Sequence, residues 1–162
     1  MRPRVALVAC VVALVSAACG GNDVDPKRDL QVDSVTTGWF DAGIVEQRKN
    51  KLVPTVSFRL KNATAKPIDT VQVNAVFRQV GNPQEWDTAF ARAIGASGLD
   101  GGSATGPIVL RARLGYTGEQ PRSEMLQHRL FVDAKVDLFV KHRSQAWVKM
   151  GEYPIRRQLL TQ

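Results

Sequence analysis

From Leu52 to Leu60 the chain alternates apolar and polar side chains. Leu52, Pro54, Val56, Phe58 and Leu60 fall on one side, while Lys51, Thr55, Ser57, Arg59 and Lys61 dominate the other. A period of two is the signature of a half-buried strand. Pro54 cannot donate to a ladder, so it predicts a sheet edge or the start of a strand here. Asn62-Ala63-Thr64-Ala65-Lys66-Pro67 is a cluster of turn-forming residues. Alternation then resumes, with Val71, Val73, Ala75 and Phe77 against Gln72, Asn74 and Arg78. The same pattern predicts extended chain over 30–43, a loop over 44–51 and a strand over 85–94. It continues with a glycine-rich loop over 95–106, a strand over 108–116 and a polar connection over 117–124. A long run follows in which Leu130, Val132, Ala134, Val136, Leu138 and Val140 share a face, with Phe131 and Phe139 interrupting the polar side. Residues 141–144 turn the chain into a hairpin partner over 146–150.

Six to eight short strands without a long helical pattern predict an all-β fold, an antiparallel β-sandwich whose two sheets pack apolar faces together. Phe58, Leu60, Val73, Phe77, Leu110, Leu114, Val132, Val136 and Leu138 are the expected core. The strand–turn–strand unit over 52–80 resembles the paired strands of immunoglobulin-like domains in exported bacterial proteins. That resemblance implies an immunoglobulin-like fold and no activity, because the fold serves many roles.

The amino end changes the picture most. Arg2 and Arg4 precede an apolar run, Val5 to Val15, too short to span a bilayer, and Ser16-Ala17-Ala18 leads to Cys19. A basic start, a short apolar middle and small residues at the end form a secretory signal. Val15-Ser16-Ala17-Ala18-Cys19 resembles the lipobox of bacterial lipoproteins, with Ser16 where leucine is most usual. The resemblance implies a signal peptide over 1–18, cleavage before Cys19 and lipid on its sulfur. The alternative is an ordinary signal that leaves Cys19 a free thiol. Gly20 after the cysteine resembles the pattern of lipoproteins sent to the outer membrane, facing the periplasm. Residues 19–29, polar and broken by glycine and proline, read as a flexible tether to a domain over 30–162. Cys10 leaves with the signal, so the mature chain has no partner for an internal disulfide.

Removing residues 1–18 from the 162-residue chain leaves 144, the size of one domain. The net charge of +7 falls to +5 without Arg2 and Arg4. That excess suits a solvated exterior, with attraction to anionic headgroups as the alternative. The export signal argues against a nucleic-acid partner.

No catalytic set, metal site or cofactor motif emerges. His128 and His142 stand at opposite ends of the long apolar run, about 45 Å apart if it is one extended strand, and read as rim histidines. Asp133 and Asp137 are two strand repeats apart, roughly 13 Å, too far for paired-carboxylate chemistry. They read as a charged exterior. Asn62-Ala63-Thr64 matches a glycosylation sequon but reads as a turn. Trp39, Trp86 and Trp147, with Arg111, are the candidate ligand or partner residues, since aromatics on sandwich rims anchor partners. The expectation is a non-enzymatic lipoprotein, attached to a membrane through Cys19, that binds or scaffolds another envelope protein. The alternative is a carrier of a small apolar or anionic ligand in a cleft of the sandwich.

Overall fold

The alternating stretch builds the centre of the first sheet. The computed structural model describes residues 24–160, so Cys19 and the signal lie outside the described residues. A long hairpin joins β1 (Leu30–Val45) to β2 (Lys49–Asn62), paired from Leu30 opposite Asn62 to Val45 opposite Lys49, with irregularities after Asp33 and after Asp41. The expected loop over 44–51 is the tip of this hairpin. Its polar composition reflects a tip that projects beyond the core, where Ile44 is exposed. Leu52, Val56, Phe58 and Leu60 all point inward and are buried.

Pro54 sits neither at an edge nor at a strand start. β2 pairs with β1 on one side. On the other it pairs with β5 (Ile108–Arg111) over residues 55–58 and with β6 (Tyr116–Gly118) over 50–52. The Pro54 carbonyl accepts from the Ala112 amide at 3.0 Å, so its nitrogen faces that same side, at the gap between β5 and β6. The missing donor costs no ladder bond there.

That gap is also why the strand expected over 108–116 is broken. After Arg111 the chain leaves the ladder, and Gly115 returns so close that a Cβ would lie 2.0 Å from the Leu52 carbonyl oxygen. Leu114, expected in the core, is 51% exposed. Its amide and that of Arg113 are taken by the buried carboxylate of Asp87, at 2.9 and 2.5 Å.

The second sheet has the order β4-β3-β7-β8, from β3 (Val71–Gln79), β4 (Asp87–Ile94), β7 (Ala134–His142) and β8 (Val148–Pro154), all antiparallel. Strands one, two and five thus share one sheet and three, four, seven and eight the other. Strand six, paired to strand two, completes with them an all-β sandwich of two sheets. Phe58, Leu60, Val73, Phe77, Leu110, Val136 and Leu138 meet between the sheets, as expected.

The chain between the sheets departs from the alternation. α2 (Arg122–Gln127) occupies part of the expected polar connection, and β7 begins only at Ala134. The residues before it are irregular, so their parity is inverted. Phe131 is buried, whereas Leu130 and Val132 are exposed, Val132 at 41%. Arg157 holds this segment, donating to the Leu126 and Phe131 carbonyls at 3.2 and 3.0 Å and pairing with Asp133 at 2.6 Å.

Residues 24–29 are not tether. α1 (Pro26–Asp29) is capped by the Asp25 side chain, with proline at its first position. Asp29 is buried, and its carbonyl accepts from Ala63 at 2.9 Å. Val24 and Asp29 are thus already packed on the domain. At the other end, β9 (Leu159–Leu160) lies parallel to β1, where the absence of a side chain on Gly38 leaves room for Leu160.

The Asp87 tie predicts a pH dependence. Burial pushes its carboxyl up, but the amides of Leu114, Thr88 and Arg113 outweigh burial and hold it below the usual carboxylate range. A depressed folded-state value stabilises the fold above the unfolded pKa and is lost as pH falls through the folded one. Asp87→Asn is expected to be less stable than wild type at neutral pH. The gap in urea midpoints should narrow below about pH 4.

Candidate functional site

The four residues singled out by the sequence do not form one site. Trp39 is fully buried, in an aromatic cluster with Phe131 (4.7 Å between centroids), Tyr116 (5.5 Å) and Trp86 (6.3 Å). Trp86 is half-buried beside it. Arg111 lies on the outer face of the first sheet, its guanidinium 3.8 Å above the Phe40 ring. Trp147 stands by the turn into β8, at the outer face of the second sheet. None of the four lines any of five main cavities among the described residues.

No metal-binding set of three His, Cys, Asp or Glu side chains occurs among the described residues. His142 is buried rather than on a rim, because even-numbered residues of β7 face inward, and its Nε2 lies 4.0 Å from Asp69. Asp137 was expected on a charged exterior and is buried too. Long side chains from the two neighbouring strands cover it. Arg78 pairs with it, and Lys149 reaches it at 2.6 Å. Lys135 and Lys149 also reach Glu152, at 3.2 and 3.4 Å, and hold that carboxyl below its usual range.

Next to this network the same sheet face becomes aromatic. Phe90, Asn74, Phe139 and Lys149 form one row across β4, β3, β7 and β8. Arg92, Gln72 and Lys141 form the row beside it. The Trp147 ring reaches 6.1 Å from that of Phe90, with the Lys141 ammonium 4.8 Å from its centroid. Phe90 is 64% exposed and Trp147 36%. Two aromatic rings left in water beside a cation are the composition of a partner-binding centre. Across this face Arg78, Arg92, Lys135, Lys141 and Lys149 stand against Asp137 and Glu152 alone. The face is therefore positive and favours acidic partners.

Phe90 escaped the sequence reading because of a register shift. Trp86, Thr88, Phe90, Arg92 and Ile94 alternate in sequence, but β4 carries an irregularity between the Gln72–Arg92 and Val71–Ile94 pairs. One extra residue there turns Ile94 inward while Phe90 stays outward. The legible signal was Phe139, an aromatic on the polar side of its own run, which falls in the same row.

The sequence matches no protein-family model, and no curated protein matches it. Among solved structures the chain is similar to the ligand-binding region of serine-glutamate repeat protein A (SgrA) of Enterococcus faecium. The identity is 15%, over 73% of this chain and 90% of that one, with a TM-score of 0.30. A likeness at that level carries no argument about this chain.

Proposed function

We propose that this chain is a non-enzymatic binding domain, held on a bacterial membrane by lipid on Cys19, that recruits an envelope protein through the outer face of the second sheet. The observation that carries the binding face is the exposed Phe90–Trp147 pair with Lys141 beside it. Its partner presents carboxylates next to apolar side chains, which would meet the cations and the two rings together. The anchor acts by confinement. It holds the domain and an envelope partner in a thin layer and raises their effective concentration without any new contact. The lipobox resemblance and Gly20 support an exported lipoprotein at the outer membrane, facing the periplasm.

The carrier reading has less support. It needs a deep cleft lined by the tryptophans or Arg111, and the cavity of about 600 Å³ at the β1–β8 opening is lined instead by residues such as Lys27, Leu30, Lys61, Met150 and Tyr153. The anchoring is tested by expressing wild type and Cys19→Ser in a bacterial host, then crosslinking intact envelopes. Wild type is expected in the membrane fraction with a discrete crosslinked species. Cys19→Ser should leave that fraction and crosslink more weakly. Equal membrane partitioning of the two proteins would overturn the anchor.

A further inference from the structure

We infer that the sandwich stands on its α1 end, with Lys27, Arg28, Lys61 and Lys66 resting on the anionic headgroups of the membrane that holds it. The inference rests on lipidation of Cys19 and goes beyond it, because it assigns a second surface and its partner, an anionic lipid bilayer. The first ground is the length of chain. Val24 is already buried in the domain, and only residues 20–23 separate it from Cys19. Five residue steps at full extension span about 17 Å. A lipid-bearing sulfur at the hydrocarbon boundary must first cross a headgroup layer of roughly 6 Å. Val24 is thus kept within about 10 Å of the headgroups. The opposite end lies far off: the 14 residues of β2 run roughly 45 Å from Asn62 to Lys49.

The second ground is what surrounds this end. α1 lies between two concavities. Arg28 and Lys66 line one of about 190 Å³, together with Val24, Pro67 and Ile68. Lys27 and Lys61 line the other. Three carboxylates nearby are engaged by the protein. Asp25 caps α1 at the Lys27 amide, and Asp29 is buried, accepts from the Asp25 amide and binds Arg28. Asp33, which lines that second concavity, accepts from the Ser34 amide at 2.6 Å. The long side chains of Lys27, Lys61 and Lys66 extend far enough to meet lipid phosphate, and Arg28, paired with Asp29, lies among them. Standing on this end, the domain holds its strands upright and presents Phe90 and Trp147 sideways, toward a partner in the same membrane.

The test uses the processed protein purified from a bacterial host. Mass analysis of its first peptide comes first, and an acylated Cys19 is expected. The protein is then placed in vesicles of phosphatidylcholine alone, or with a third phosphatidylglycerol, and amide exchange is followed. The inference predicts about tenfold slower exchange over 25–30 and 63–68 with phosphatidylglycerol, relieved by high salt. It predicts no such change over 88–92. The variant Lys27→Glu/Lys61→Glu/Lys66→Glu should stay anchored, melt like wild type and lose that protection. A bare sulfur would remove the anchor and this orientation with it. An acylated sulfur with exchange indifferent to phosphatidylglycerol would leave the anchor standing and overturn the headgroup contact. Protection of 88–92 instead would lay the sheet face, not the α1 end, on the bilayer.

Discussion

Trp39→Ala is expected to lower the unfolding free energy by about 4 kcal/mol, the largest effect of any single truncation considered. The indole is fully buried, opposite Pro54 on β2 and in contact range of Phe131, Tyr116 and Trp86. Its removal leaves a cavity among rings that are fixed by other bonds. Tyr116 donates to the Val132 carbonyl at 2.9 Å, and Phe131 is held by Arg157. Such a site cannot collapse, so both the transfer loss and the cavity term apply in full. Urea unfolding measures it directly. A loss below about 1 kcal/mol would mean that the indole is not the centre of that end of the core.

Asn62→Ala is expected to cost about 3 kcal/mol. The side chain is buried and does the work of a turn. Its Nδ2 donates to the Lys66 and Leu99 carbonyls at 2.8 and 2.9 Å, and its Oδ1 accepts from the Thr64 amide and hydroxyl. Its backbone binds Ser103 and Gly102. One residue thus joins the end of β2, the turn to β3 and the glycine-rich loop. Alanine leaves two carbonyls and an amide without these partners, and each loss costs more than the bond itself contributed. Asn62→Asp should be worse, since a carboxylate cannot donate to two carbonyls. Thermal melts of the three proteins give the order wild type, alanine, aspartate. An aspartate variant as stable as wild type would contradict it. The amide that a sequon would offer for glycosylation is already engaged in this turn.

These two residues show how far the sequence reaches. Period-two alternation located β2, β3 and most of β7, because those strands are long and one-sided and burial alone writes their pattern. It failed where the backbone slips by one residue. The irregularity in β4 turned Ile94 inward while Phe90 stayed outward, and the late start of β7 turned Phe131 inward and Val132 outward. Neither shift leaves a local mark, and the second is held by a residue far along the chain, Arg157 on the Phe131 carbonyl. α1 was readable in principle. Asp25-Pro26 is an N-cap followed by a first-turn proline, but the glycines and charges before it masked the signal. The candidate site was half legible. Trp147 was named as a binding residue and stands in the exposed patch. Trp39 is core, and Arg111 packs on Phe40 at the opposite face of the sandwich.

The claim at the centre is that a partner meets the rings of Phe90 and Trp147. The direct measurement is crosslinking in intact envelopes, comparing wild type with Phe90→Ala/Trp147→Ala and with Val109→Ala on the other sheet. Phe90 is mostly exposed, so the double variant should keep its melting temperature within a few degrees. The prediction is that it loses the partner by at least about 2 kcal/mol, roughly thirtyfold, while Val109→Ala keeps it. Equal capture by the double variant and wild type would contradict the claim.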